Sequence, residues 1–353
     1  MNTGRDATDA AVLFETGEPL RLTSLTIPEL QPGQVLVDIA YSGVCQSQLL
    51  EVRGARGADP YLPHTLGHEG SGTVVETGPA VAKVKVGDRV VLSWIKGIGA
   101  DVGSSAYASA LGPVNSGAVS TFMRRAVVSE NRVTPIPEAM PLKEAALLGC
   151  AVLTGAGIVL NAAAVTAGAS IAIFGIGGIG ASAVLGAVLA GAAPIIAVDV
   201  LLHKLDLAQR LGATHVINGN VGDVRAAILA ATHGGGVDFA VEAAGRRATM
   251  EVAFQCVRDG GGLLVIAGNL PHGGRISLDP FDLIRGKRII GTWGGESKPD
   301  RDIPRFIDLY LSGKLPLAPL ITATYGLADV DRALADLEDG RVLRALLDME
   351  ARA

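Results

Sequence analysis

The chain has 353 residues, 49% of them hydrophobic and 18% charged, with a formal net charge of −5. That length exceeds one ordinary core and predicts two domains. A mildly acidic balance with no basic block excludes nucleic acid as a partner, because phosphates demand clustered Lys and Arg. Three cysteines cannot make a disulfide framework, and the polar start "MNTGRDATDA" lacks the apolar segment of a signal peptide, so a reducing, cytoplasmic setting is expected.

In chain order, residues 11–42 read as short strands split by "GEP" and "QPG", and "QVLVDIAYSGV" alternates as a half-buried strand does. "GSGTVVETG" and "VKVGDRVVLS" continue the pattern, so the first part predicts a small, twisted, all-β domain. Residues 96–118, with five glycines and many small polar residues, read as a loop that shapes an entrance. "KEAALLGCAVLTGAGIVLNAA" has helical spacing. From there strand and helix alternate: "SIAIF", the helix after "GIGGIG", "PIIAVDV", "HKLDLAQRLGA", "THVIN", "VDFAVEAAG", "GGLLVIAGNL", "RIIGTWGG". That alternation predicts a doubly wound parallel sheet. The chain closes on "DIPRFIDLYLSGKL", read as one more long helix, and a C-terminal piece, "DVDRALADLEDGRVLRALLDM". The stretch from Ala145 to Val198 carries no charge, but its glycines and Pro194 cut it into strand- and helix-sized pieces. It therefore reads as the hidden centre of an α/β sheet rather than a membrane span.

The run Gly175-Ile-Gly177-Gly178-Ile179-Gly180 follows an apolar strand and opens a helix. The first glycine permits a tight turn, the second admits a pyrophosphate to the backbone, and the third lets helix and strand pack closely. The helix start then offers free N–H groups and partial positive charge to phosphate. Asp199 lies nineteen residues beyond Gly180 at the end of "IIAVD". A carboxylate there holds ribose hydroxyls and repels a 2′-phosphate, which selects NAD over NADP. Lys204 is a candidate second ribose contact. The competing reading is a Gly-rich turn in a flavodoxin-like or methyltransferase-like sheet.

Cys45, His68 and Cys150 are too far apart in sequence to form a local metal knuckle, and spacing alone leaves them open to being core residues. The ordered set "GVCQSQ", "GHEGSGTVVETG", "VGDRV", "LLGCAVLTG", "FGIGGIG", "IIAVD", "LGATHVIN" and "GTWGG" resembles the zinc-dependent alcohol dehydrogenases of the medium-chain dehydrogenase/reductase family, nearly end to end. The resemblance implies a mainly β, GroES-like catalytic domain over 1–151 and 295–353 and an NAD-binding Rossmann domain over 152–294. It implies that Cys45, His68 and Cys150 bind one catalytic zinc, with Glu69 beside the metal and Ser47 taking the alcohol proton. Trp94 and Phe122 would line the substrate pocket. Thr292 and Trp293 would hold the nicotinamide carboxamide through backbone groups, and Arg344 would meet the pyrophosphate. The implied reaction is hydride transfer between NAD and a small alcohol or its carbonyl partner, in a homodimer or homotetramer assembled through the nucleotide-binding sheet. Cys256 reads as core, and His64, His203, His215, His233 and His272 as surface or loop residues.

Several positions depart from the family's pattern. Three cysteines exclude a four-cysteine structural zinc by count. Gln48 stands where an aspartate usually supports the ligand histidine, Leu50 where a histidine ends the proton relay, and Gln46 where a basic residue often meets pyrophosphate. Two rival readings follow. One is a metal-free NAD(P)H-dependent quinone or enone reductase of the same superfamily; the other is a non-catalytic NAD-binding protein.

Overall fold

The computed structural model describes residues 7–351. They divide into two compact units. One runs through Cys150 and takes back Lys298–Gly313 and the segment from Leu317 onward; the other is Ala151–Ser297 with Lys314–Pro316.

The first unit is built on β-structure. A closed barrel runs through Ala7–Leu13, Arg21–Thr26, Ala106–Ser109, Gly112–Asn115 and His64–Thr65. Beside it lies a sheet in the order Val133–Pro135, Arg89–Ser93, Glu69–Thr77, Gln34–Val44, Ala345–Asp348, Ala323–Gly326, with Arg125–Ser129 also paired to Gln34–Val44. The long strand Gln34–Val44 is the spine. Its Val35, Val37, Ile39 and Val44 enter a core shared with Leu13, Leu92, Met123 and Val127. The C-terminal helices Pro299–Leu311 and Val330–Glu338 belong to this unit and bury one face each, including Ile303, Phe306, Val330 and Leu334.

The expected loop over 96–118 is half right. Ala106–Ser109 and Gly112–Asn115 form an antiparallel hairpin that completes the barrel. Alternation was present, with Tyr107 and Val114 pointing in. Small neighbours gave it the composition of a loop. The Tyr107 hydroxyl is buried and accepts a bond from the Val127 N–H at 2.7 Å.

The second unit holds a six-stranded, all-parallel sheet. Its order is His215–Asn218, Ile195–Asp199, Ile171–Phe174, Phe239–Glu242, Leu263–Ile266, Arg288–Gly291, which is 3-2-1-4-5-6 by order in the chain. Ile171–Phe174 is fully buried between neighbours on both sides, and the helix Gly178–Ala190 is apolar almost all round and largely buried. The uncharged stretch is therefore the interior of this unit. Among the described residues no single helix is long and apolar enough to cross a membrane.

Candidate active site

Three structural transitions position the sulfur and nitrogen donors. Cys45 ends the spine strand and is the extended residue (φ −126°, ψ 154°) preceding the short helix Gln46–Val52. His68 immediately precedes the strand Glu69–Thr77, after Gly67, whose φ of +92° suits glycine and whose missing Cβ leaves room for Thr121 and Phe122. Cys150 sits at a break in the expected helix: Leu142–Ala145 and a 3-10 turn end there, Ala151–Gly157 begins after it, and Cys150 itself is non-helical (φ −147°, ψ −65°). One ligand atom from each of Cys45, His68 and Cys150 lies within 4.8 Å of the other two. Both cysteines are buried and His68 is half-buried. Two soft sulfurs and an imidazole converging on one point fit a catalytic zinc, which takes three protein ligands and keeps one position open.

The surroundings complete the site. A hydrogen bond from Cys150 pulls the Cys45 thiol well below its ordinary value, helped by Arg344 and His68, while the same bond pushes Cys150 well above. His68 Nε2 is 3.3 Å from Cys150 Sγ, and His68 Nδ1 is 2.6 Å from the amide nitrogen of Gln48. Trp94 meets the His68 ring edge-on, with centroids 6.5 Å apart. Glu69 is wholly buried and ion-paired with Arg344, whose Nε donates to it at 2.9 Å. Gly43 is what admits that carboxylate, since a Cβ there would fall 1.8 Å from Glu69 Oε1. Ser47 Oγ is buried with no hydrogen-bond partner, which suits a hydroxyl awaiting a substrate.

Not every expected residue gathers here. Phe122 is fully buried in the β core and presents no surface to a pocket. Arg344 does gather at the cluster, but from beneath it: the residue is only 3% exposed and ion-paired with Glu69. His64 is a correction: it is a buried strand residue, with Nε2 2.8 Å from Asp59 and Nδ1 3.0 Å from the Thr65 carbonyl. Cys256 is fully buried, and burial pushes its thiol up to about 12.

In the second unit the glycine run forms the turn from Ile171–Phe174 into Gly178–Ala190. Gly175 has φ +88°, and a Cβ on Gly180 would lie 1.8 Å from the Gly175 carbonyl oxygen. A Cβ on Gly177 would meet nothing within 4 Å, so that backbone faces open space at the start of the helix. Asp199 accepts from the Ile176 N–H at 2.7 Å and the Leu201 N–H at 3.0 Å, which turns its carboxylate toward the glycine turn. Lys204 lies on the helix Leu202–Arg210 that follows. The Thr292 N–H donates to the Ile266 carbonyl at 3.1 Å, while its hydroxyl is buried without a partner, and Trp293 is 78% exposed. Sequence reasoning missed Glu242. It ends the fourth strand, beside the first, at the crevice where strand order reverses. One of its oxygens accepts from the Ala244 and Gly245 N–H groups and the Thr249 hydroxyl, and burial raises its pKa. An acidic residue inside "VDFAVEAAG" was the available signal.

Comparison with known proteins agrees with this geometry. Residues 31–138 match the alcohol dehydrogenase GroES-like domain, and residues 178–312 the zinc-binding dehydrogenase model. An S-(hydroxymethyl)glutathione dehydrogenase of Synechocystis sp. is 34% identical, covering 96% of this chain and 98% of that protein. An alcohol dehydrogenase zinc-binding domain protein from Burkholderia ambifaria superposes with a TM-score of 0.91 at 34% identity, over 98% of this chain and 100% of that one. Benzyl alcohol dehydrogenase from Acinetobacter calcoaceticus gives 0.88 at 32% identity, over 97% and 99%. A barrel-based unit carrying a Cys-His-Cys cluster and a parallel sheet carrying a glycine turn define a metal-dependent dehydrogenase of nicotinamide dinucleotides. The chain belongs to the zinc-dependent alcohol dehydrogenases of the medium-chain dehydrogenase/reductase family. It is an enzyme that moves a hydride between NAD and an alcohol or the matching aldehyde or ketone.

Proposed function

We propose that Cys45, His68 and Cys150 hold the one zinc of this dehydrogenase and that Ser47 is the first stop for the alcohol proton. The convergence of the three donors within 4.8 Å carries the reading. When bound, zinc supplies a Lewis acid that lowers the pKa of an alcohol oxygen. The unpartnered Ser47 hydroxyl accepts the proton that the alcohol releases and passes on its own. Leu50, further along the same helix, carries no proton, so the onward path leaves Ser47 by another route. The Glu69–Arg344 pair is net neutral, so it adds no net charge to a buried site that already carries the thiolates. Trp94, edge-on to His68, walls the substrate side, and Phe122 backs the core behind it.

In the second unit, Gly175, Gly177, Gly178, Ile179 and Gly180 present backbone N–H groups to the pyrophosphate. Asp199 keeps lone pairs for the ribose hydroxyls beyond its two backbone bonds, with Lys204 as a second contact. Thr292 and Trp293 serve the carboxamide. The strand Arg288–Gly291 pairs with only one neighbour among the described residues, and Phe281 and Ile284 beside it are 56% and 76% exposed. That open, apolar edge supports a homodimer or homotetramer built through the sheet. Three unpaired cysteines suit a reducing compartment such as the cytoplasm.

Elemental analysis and turnover test the reading together. The wild-type chain is expected to hold about one zinc, and Cys45→Ser to lose both the metal and roughly 1,000-fold in kcat, as removal of a metal worth several kcal/mol demands. Full activity in metal-free protein would overturn the mechanism. Asp199→Ser is expected to raise the NADP-to-NAD preference roughly 100-fold, because it removes a like-charge repulsion.

A further inference from the structure

Gln48 touches two of the three donor residues and is itself completely buried. Its Oε1 accepts from the Cys45 backbone N–H at 2.8 Å. That direction is fixed, because a backbone N–H only donates. The amide nitrogen is therefore the atom facing His68 Nδ1, at 2.6 Å, and it too only donates. Nδ1 must then be the bare ring nitrogen, and the neutral imidazole carries its proton on Nε2, where Cys150 Sγ lies 3.3 Å away to accept it.

A metal needs the opposite arrangement. The nitrogen beside Cys150 must offer a lone pair, so the ring proton moves to Nδ1 and meets the Gln48 amide N–H₂ head-on. Turning the amide over gives Nδ1–H an acceptor but sets the N–H₂ against the Cys45 N–H. A single amide has one oxygen and cannot accept on both sides; a carboxylate can. We propose that Gln48 is a positioning residue that sets the proton polarity of the metal centre, favouring the metal-free hydrogen-bond pattern and reversing when zinc enters, so that this chain holds zinc less tightly than the same site with two acceptors at position 48. This rests on the reading of Cys45, His68 and Cys150 as one metal centre.

Gln48→Glu is the isosteric test, since it supplies two acceptors in the same shape. Zinc release from full-length, zinc-loaded protein to an excess of chelator, together with the zinc Kd by chelator competition, is the first measurement. Gln48→Glu is expected to bind zinc ~10–100-fold tighter than wild type, the range for changes in groups that orient a metal-bound histidine; equal affinity within twofold overturns the assignment. The second measurement needs no variant. In wild-type protein stripped of zinc, the ¹⁵N resonances of His68 should show a protonated Nε2 and a bare Nδ1, and the reverse pattern overturns the proposal even if Gln48→Glu fails to fold. A chain that takes up no zinc at all sinks the metal reading itself, whereas zinc bound equally by both proteins sinks only the role of Gln48.

Discussion

Two glutamates of the first unit invite comparison. Glu69 and Glu130 are both buried, at 0% and 4% exposure, yet they are neutralised in opposite ways. Burial alone would raise Glu130, but backbone N–H donors outweigh it: Ala82 and Lys83 at 2.7 and 2.8 Å on one oxygen and Ala100 at 2.8 Å on the other hold its carboxyl below the usual range. Glu69 leans instead on the Arg344 guanidinium, and there burial prevails and the carboxyl is raised. Glu130 knots three stretches of main chain and is remote in kind from any chemistry. Glu69 sits one residue from a metal donor and brings an arginine with it. In this unit, main-chain donors hold the acid that ties the architecture together, and a guanidinium holds the acid beside the donor cluster.

Three single substitutions, the first with a compensating second change, sharpen or break that contrast. The largest effect belongs to Glu69→Gln, which leaves Arg344 buried without its counter-charge and is expected to cost ~3–5 kcal/mol in denaturant unfolding. Adding Arg344→Met should recover most of it, and a loss under ~1 kcal/mol would break the comparison. Glu130→Gln should cost less, about 1–3 kcal/mol, because one of its two oxygens becomes a donor facing an N–H group. That cost should also depend on pH. The folded carboxyl lies below its unfolded value, so its contribution is fully present above the ordinary carboxylate pKa of about 4.3 and fades as pH falls through the lower folded value. Wild type and Glu130→Gln should therefore converge in stability in acid, and a gap that widened there would contradict the ionised knot. The smallest effect is Tyr107→Phe, which removes one buried bond to Val127 and should cost about 1 kcal/mol; no change would mean that the hairpin is not integral to the barrel.

Legibility followed locality. The glycine turn was readable because all of its parts lie in one contiguous run, and each glycine has a steric reason that a sequence displays. The metal donors were not readable by spacing, since they meet only after three separate segments fold, and it was the resemblance that joined them. The hairpin at 106–115 was hidden because only Tyr107 and Val114 carry its alternation. Phe122 and Arg344 kept their places in the pattern but not the surroundings expected of them, because exposure is set by packing that no motif records. At Gln48 the substitution was visible in the sequence. Which of its amide atoms faces His68 was not, because that is decided by the backbone N–H of Cys45.

The Glu130 knot has a consequence beyond stability. It ties the 96–105 segment with oxygen acceptors and peptide groups alone, and a carboxylate has no ladder of oxidation states to climb, as a cysteine does. Peroxide that oxidises Cys45 and Cys150 finds no sulfur among the groups of this knot. Reversible oxidation of the two cysteines should silence the metal site and leave the Glu130 ties standing, ready for the site to be reloaded once the thiols are reduced.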